Sequence, residues 1–146
     1  MAKYLFLDFE TRSHIDLPKC GADVYARADG TDVLCLGYAF DEGDVSLWKQ
    51  GDDFPLDVLA HIESGGSVVA HNAVFEYLIW NHVFHVRRGF PELKPEQLID
   101  TMAMCYSMAL PGALGNAAPA LGLHHTKDMT GQRVMLKLST PRNIFP

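Results

Sequence analysis

The 146-residue sequence contains few cysteines and no long apolar run. Its three cysteines, Cys20, Cys35 and Cys105, are odd in number and widely spaced, which disfavours a disulfide framework or a zinc knuckle. Reduced thiols, as in cytoplasmic proteins, are expected instead. The apolar runs are far shorter than the roughly 20 residues that a membrane span needs, and Asp8 comes too early for a secretory signal. We therefore expect a cytoplasmic protein with no membrane partner.

Acidic residues are almost absent from the last third of the chain. Residues 101–146 carry four basic side chains and one acid, Asp128, whereas residues 1–100 carry 17 acids and 8 basic side chains. The formal net charge of −6 disfavours a protein that coats nucleic acid through bulk charge. Apolar residues make up 48%, and the length suits one domain with one core. The segregation raises the question of whether some of the carboxylates are ligands.

The apolar pattern predicts five strands and several helices, with an irregular excursion over residues 10–31. The strands are expected at 4–9, 33–40, 45–48, 67–71 and 98–100. The helices are expected at 55–63, 72–86, 101–110 and 114–121, with a last short one after 131. The inward side of the second helix is predicted to carry Phe75, Leu78, Ile79, His82 and Val83. A meander followed by alternating helices and strands indicates a mixed α/β sheet with helices on its faces.

Two acids lie at the end of the first predicted strand. Because side chains alternate along a strand, Asp8 and Glu10 should share one face while Phe9 points to the other. Two carboxylates held this close repel each other unless a cation lies between them, and oxygen ligands suit hard cations such as Mg²⁺. The alternative is that both acids simply lie at a solvated strand end.

Two further acids follow predicted strands. Glu76 lies in the first turns of a helix that Asn72 can cap, and Asp100 directly precedes the helix that begins at Thr101. Glu76 would thus lie near the carboxyl ends of the strands, where it could join Asp8. Ordinary capping explains Asn72 and Asp100 equally well, and a helix N-terminus also favours an acid without any ligand role for Glu76.

Taken together, these segments resemble the DEDD superfamily of 3′→5′ exonucleases, which has a ribonuclease H-like fold. The motifs that carry the resemblance are Asp8-Phe9-Glu10-Thr11, Asn72-Ala73-Val74-Phe75-Glu76 and Asp100-Thr101-Met102. The wider context resembles the proofreading domain of phage-type family A DNA polymerases over nearly the whole chain. That context includes Leu110-Pro111-Gly112 and Lys127-Asp128 followed by Gly131 and Met135.

The resemblance implies two-metal hydrolysis of single-stranded DNA 3′ ends during proofreading. Asp8, Glu10 and Glu76 would be the catalytic residues that hold two Mg²⁺ or Mn²⁺ ions, and Thr11, Asn72 and Phe75 would contact the substrate. A phage-encoded protein of this kind would work in the host cytoplasm. The implied fold is a ribonuclease H-like mixed sheet, with an antiparallel three-strand meander, parallel strands and helices on its faces.

The sequence departs from the family pattern at two points. Glu76 stands where the second motif usually has Asp. The third motif, Tyr-x-x-x-Asp or His-x-x-x-Asp on a late helix, has a literal match only in His124 and Asp128, which lie between the helix-breaking Gly122 and Gly131. The expectation is one exonuclease-like domain over residues 1–146, truncated at its C-terminus. A polymerase domain or a second chain would then supply the missing motif.

Two alternatives to a DNA exonuclease stay open: a catalytically incomplete exonuclease fold that serves as a binding or assembly module, and an exonuclease directed at RNA. Three histidines that imitate a zinc site are expected to be ordinary helix or surface residues; they are His71, His82 and His85. Four basic side chains could either meet DNA phosphates or form a solvated face; they are Lys127, Arg133, Lys137 and Arg142.

Overall fold

The computed structural model describes residues 1–124 and 128–139. Its strands are β1 (Tyr4–Arg12), β2 (Asp32–Phe40), β3 (Ser46–Lys49), β4 (Ser67–Ala70) and β5 (Leu98–Asp100). Its helices are α1 (Leu17–Cys20), α2 (Ala22–Arg27), α3 (Leu56–Glu63), α4 (Ala73–Ile79), α5 (Thr101–Ser107), α6 (Leu114–Ala120) and α7 (Met129–Ser139). Helix α4 continues as a π-helix over Trp80–Val86, and a 3-10 turn over Pro95–Gln97 precedes β5.

The five strands form one mixed sheet in the order β3-β2-β1-β4-β5. Strands β1, β2 and β3 make an antiparallel meander, and β4 and β5 run parallel to β1. The predicted fold class, a mixed α/β sheet with a three-strand meander and parallel strands, is confirmed. None of the helices in the described parts of the chain is long and apolar enough to cross a membrane.

The register of the meander gives the sheet two chemically different faces. On one face Phe9 pairs with Leu36, which pairs with Trp48, and all three are at most 4% exposed. We call this side the core face. The other side, which we call the open face, carries Phe6, Asp8, Glu10, Cys35, Gly37, Leu47 and Lys49. Leu47 is 58% exposed and Phe6 41%, so the described residues leave much of this face uncovered.

An aromatic cluster closes the core face. The ring centroids of Phe84 and Phe90 lie 5.5 Å apart, those of Phe54 and Phe90 4.9 Å, and those of Trp80 and Phe84 5.3 Å. The indole N–H of Trp80 donates to the carbonyl of Pro91 at 2.8 Å, which satisfies the one polar group that burial of this ring would otherwise leave unpaired. This packing fixes α4 and its π-helical continuation against β1.

Two local predictions were wrong. The segment over 10–31 is not irregular throughout, because β1 extends to Arg12 and α1 and α2 follow it. In the second predicted helix, Ile79 and Val83 are buried as expected, but the most buried positions also include Glu76, Trp80 and Phe84. Trp80 and Phe84 lie in the π-helix, whose turn is wider than the 3.6-residue period of an α-helix, so they face the core outside the expected stripe. Glu76 precedes this segment, within α4.

Candidate functional site

The first acidic pair lies on β1 as predicted. Asp8 and Glu10 both project from the open face, whereas Phe9 between them is 4% exposed on the core face. Strand β4 pairs with β1 only over Tyr4–Phe6, so both carboxylates lie beyond its last pairing position. Asp8 is exposed and Glu10 is half-buried. The two acids therefore stand at the edge where the parallel strands end, the usual place for a ligand site in an open α/β sheet.

Glu76 is a buried carboxylate whose second oxygen has no partner. Its residue is 3% exposed, and Oε2 has no hydrogen-bond partner in the described part of the chain. The pKa of Glu76 is raised to about 8, chiefly by burial. The backbone N–H groups of Glu76 itself and Phe9 oppose this rise, and the nearby charges of Asp8 and Asp100 contribute to it. A buried group of this kind is stable only when it is protonated or when a cation neutralises it.

The three carboxylates fit a divalent cation in chemistry, although they do not yet converge. Asp8 is close enough to act electrostatically on Glu76, and it shares a face with Glu10. Within residues 1–124 and 128–139, however, no three His, Cys, Asp or Glu side chains are grouped tightly enough to hold a metal as they stand. A cation that drew Glu76 toward Asp8 would relieve both the orphaned oxygen and the mutual repulsion.

Asp100 caps the N-terminus of α5, so the predicted capping role of this residue is confirmed. Its Oδ1 accepts the backbone N–H of Met102 at 2.9 Å and that of Asn72 at 3.0 Å.

The prediction that the Asn72 side chain caps α4 is wrong. Asn72 has left-handed backbone angles (φ 68°, ψ 55°) instead of the extended angles of a capping residue, and its side chain makes no capping bond. The residue is exposed.

Thr11 and Phe75, both predicted to contact substrate, meet at Tyr25. The Thr11 hydroxyl lies 2.9 Å from the Tyr25 hydroxyl, and the rings of Tyr25 and Phe75 are 6.1 Å apart. Thr11 is only 9% exposed, and its hydroxyl hydrogen-bonds to Tyr25 inside the fold. Sequence reasoning missed Tyr25 because α2, which carries it, lies in the segment that was expected to be irregular.

The three histidines are half-buried and contact other residues of the fold, and His71 lies before α4 instead of within a helix. His71 places Nδ1 2.9 Å from the Thr101 hydroxyl and Nε2 2.6 Å from the Gly112 carbonyl, which ties the end of β4 to the loop before α6. His85 places Nδ1 2.6 Å from the Phe90 carbonyl, and His82 lies 3.9 Å from the Asp23 carboxylate.

The late match to the third motif does not lie within a helix in the described residues. Asp128 immediately precedes α7. Its Oδ1 accepts the backbone N–H of Thr130 at 2.9 Å, so this carboxylate caps the N-terminus of α7. His124 is exposed. Arg133 and Lys137 lie on α7 and are exposed, while Lys127 and Arg142 fall outside the described residues.

Comparison with known sequences shows that the chain is similar to part of a phage DNA polymerase. No protein-family model matches it. A DNA polymerase of Bacillus phage SP02 is 34% identical over 142 residues, which cover 95% of this chain and 21% of the polymerase. The chain thus spans about a fifth of the length of the relative that it matches.

Comparison with solved structures shows the fold. A structure described as the apo form of a nuclease superposes with a TM-score of 0.57 at 11% sequence identity, covering 88% of this chain and 56% of the nuclease. The fold of this chain is similar to that of this nuclease. The five-stranded mixed sheet is consistent with the ribonuclease H-like fold that the motifs predict.

Proposed function

We propose that the chain is a divalent-metal-dependent 3′→5′ exonuclease domain that acts on single-stranded DNA 3′ ends, as the proofreading part of a phage-type DNA polymerase. The observation that carries the proposal is the buried Glu76 carboxylate, with its orphaned Oε2, next to the Asp8 and Glu10 pair. The polymerase relative and the nuclease-like fold support the same reading.

Asp8, Glu10 and Glu76 are the residues that would hold Mg²⁺ or Mn²⁺. When bound, such ions supply Lewis-acid stabilisation of the negative charge that develops on a phosphate under attack. Glu at position 76 keeps the charge of the usual Asp and adds one methylene, so its carboxylate can reach farther from the α4 backbone. That reach matters because the three carboxylates must close a gap to share a cation.

The remaining residues around the site fix its shape. Asp100 accepts a hydrogen bond from the backbone N–H of Asn72. Asn72 directly precedes α4, the helix that carries Glu76. Tyr25 contacts the neighbours of two of these acids in the chain: its hydroxyl hydrogen-bonds to that of Thr11, which follows Glu10, and its ring packs on Phe75, which precedes Glu76. In the proposed reaction a water oxygen bonds to phosphorus and the P–O3′ bond breaks. The products are a nucleoside 5′-monophosphate and a strand shortened by one residue with a free 3′ hydroxyl.

An end-labelled digestion tests the proposal directly. The 146-residue chain is incubated with 5′-labelled single-stranded DNA in Mg²⁺ or Mn²⁺, and products are resolved by gel. We expect a ladder that shortens from the 3′ end, that EDTA prevents and that Asp8→Asn abolishes. Asp44→Asn, the same change at an exposed turn residue between β2 and β3, is the matched control and should cleave like wild type.

Three outcomes would replace the proposal. RNA of the same sequence cleaved faster than DNA would favour the RNA-directed exonuclease. Cleavage by a folded chain only after a polymerase segment carrying Tyr-x-x-x-Asp is added would favour the incomplete module. Internal cleavage, or cleavage unchanged by Asp8→Asn, would contradict a 3′→5′ exonuclease at this site.

A further inference from the structure

His71 and Asn72 form the turn from β4 into α4, which we call the α4 corner. Two adjacent contacts fasten this corner to the start of α5. The backbone N–H of Asn72 donates to Asp100 Oδ1 at 3.0 Å. His71 Nδ1 lies 2.9 Å from the Thr101 hydroxyl. These contacts continue the pairing of β4 with β5 beyond Ala70 and Asp100, the last paired residues, so side chains fix the corner where the sheet ends.

The other ring nitrogen of His71 contacts the loop between α5 and α6. Nε2 lies 2.6 Å from the carbonyl oxygen of the buried Gly112, 41 residues away. Gly112 in turn packs against the end of the Tyr106 side chain, because a Cβ atom built on Gly112 would overlap the Tyr106 hydroxyl. The loop is thus packed between His71 and the last turn of α5.

The partners of His71 determine which of its nitrogens carries the proton. A carbonyl oxygen can only accept a hydrogen bond, so the contact with Gly112 needs a proton on Nε2. In the neutral ring Nδ1 is then an acceptor, and the Thr101 hydroxyl donates to it. That hydroxyl lies farther, at 3.3 Å, from the Ala70 carbonyl oxygen. Both nitrogens are thereby engaged, so His71 bridges three segments of the chain and has no lone pair left for a metal.

The α4 corner determines where the Glu76 carboxylate stands, because Glu76 lies in the first turn of α4. The direction of α4 depends on the left-handed backbone angles of Asn72, which few residues with a side chain adopt. Glu76 must also approach Asp8 if the two are to share a cation. A displacement of about 1 Å at a reacting group can change a rate by about 100-fold, so the anchoring of the corner bears directly on the site.

We propose that His71 is a positioning residue of the candidate metal site, because through the α4 corner it sets where Glu76 stands. It does so as the Nε2–H tautomer, which bridges Thr101 and Gly112. The inference rests on the proposed function and deepens it, since it gives a role in the site to a residue that is not a ligand. A merely structural histidine would contribute to stability and leave the metal affinity unchanged.

His85 is the matched control for His71. It is half-buried like His71, and its Nδ1 lies 2.6 Å from the Phe90 carbonyl oxygen, the same kind of contact at the same distance. Phe90 belongs to the aromatic cluster of the core face, not to the α4 corner. Replacing His85 should therefore cost stability in a similar way without moving Glu76.

Calorimetric titration of the 146-residue chain with Mn²⁺ measures the effect on the site. His71→Leu removes both polar contacts and keeps an apolar side chain of similar bulk, and it should weaken the Mn²⁺ affinity about 10-fold. His71→Gln offers an amide N–H to the Gly112 carbonyl and should restore most of the affinity. His85→Leu should bind Mn²⁺ like wild type, although both leucine variants should unfold at a lower denaturant concentration.

Amide hydrogen exchange of Asn72 measures the α4 corner without any metal. Its N–H, which donates to Asp100, should exchange about 10-fold faster in His71→Leu than in wild type. In His71→Gln and His85→Leu it should exchange at close to the wild-type rate. Thr101→Val keeps the shape of Thr101 and removes the hydroxyl, so it should give a smaller increase. It takes the place of His71→Leu in both experiments if that variant does not fold.

These results separate the inference from the proposed function. A folded His71→Leu with unchanged Mn²⁺ affinity, or with unchanged Asn72 exchange, would overturn the inference and leave the exonuclease standing. Equal losses of affinity in His71→Leu and His85→Leu would do the same. If folded wild type binds no Mn²⁺, the metal-dependent exonuclease is contradicted and Asn72 exchange alone decides. Faster exchange confined to the His71 and Thr101 variants then keeps the anchoring of the α4 corner, and unchanged exchange overturns it.

Discussion

The two faces of the sheet differ in how far their residues are exposed. On the core face Phe9, Leu36 and Trp48 are at most 4% exposed and pack into an aromatic cluster. On the open face Phe6 is 41% and Leu47 58% exposed, beside the candidate ligands. The same three strands supply both faces through simple alternation. Among the described residues, packing is therefore concentrated on the core face, and the candidate ligands Asp8 and Glu10 lie on the open face.

Glu76 is where the two faces meet. It belongs to a helix that packs toward the core face, yet its carboxylate approaches Asp8, which projects from the open face. Burial makes the charge of Glu76 costly, and proximity to two acids adds to that cost. The comparison thus predicts that substitutions act on stability at the core face, on binding at the open face, and on both at Glu76.

The largest stability effect is expected from Phe84→Ala. Phe84 is fully buried among Phe54, Trp80 and Phe90, and truncating such a ring should lower the free energy of unfolding by about 4 kcal/mol. Leu47→Ala on the open face, the matched truncation, should change it by about 0.5 kcal/mol or less. Denaturant unfolding of both variants measures the contrast. Equal losses would break the comparison.

Glu76→Gln should stabilise the metal-free protein in a pH-dependent way. The pKa of Glu76 is raised to about 8 in the fold, above the ordinary value of 4.5. Its stabilising contribution is therefore complete below about pH 4.5 and is lost as pH rises through 8. Near pH 7, 2.5 units above the ordinary pKa, wild type should be less stable than the glutamine variant by about 3 kcal/mol. Unfolding in EDTA at several pH values tests this, and a difference that does not change with pH would contradict it.

Asp100→Ala should have a smaller effect, because it removes a cap from outside the core. Two backbone N–H groups, of Met102 and Asn72, lose their acceptor, and the free energy of unfolding should fall by about 1 kcal/mol. Asp100→Asn keeps an oxygen acceptor and should retain most of that stability. If alanine and asparagine behave alike in thermal unfolding, the capping bonds contribute nothing.

Asn72→Gly should have the smallest effect. The residue adopts a left-handed conformation and its side chain caps nothing, so glycine should change stability by only about 0.3 kcal/mol. Asn72→Ala keeps the Cβ but loses the short polar side chain that tolerates left-handed angles, so it should cost about 1 kcal/mol. The opposite order in a chemical unfolding experiment would mean that the side chain has a structural role after all.

Residues with a regular period were predictable from sequence. Alternation along residues 4–9 placed Asp8 and Glu10 on one face, and the run of turn residues after Phe40 separated β2 from β3. Asp100 was open to prediction as a cap because an acid before a helix satisfies free N–H groups. In each case neighbouring residues determine the local conformation.

The rest depends on contacts that are distant in sequence. The burial of Trp80 and Phe84 lies in a π-helical segment that no local period indicates. The left-handed angles of Asn72 accompany a hydrogen bond to Asp100, 28 residues away. Helix α2 was missed because Pro18 and Gly21 obscure a segment whose Tyr25 packs on α4. The gap among the three carboxylates is likewise a tertiary property.

Calorimetric titration of the 146-residue chain with Mn²⁺ or Mg²⁺ tests the central claim most directly. If Asp8, Glu10 and Glu76 hold a divalent cation, wild type binds it at millimolar concentration, Asp8→Ala abolishes the binding heat, and Asp44→Asn leaves it unchanged. No binding heat from folded wild-type protein at millimolar metal, or binding that survives Asp8→Ala, would contradict a metal site built on these carboxylates.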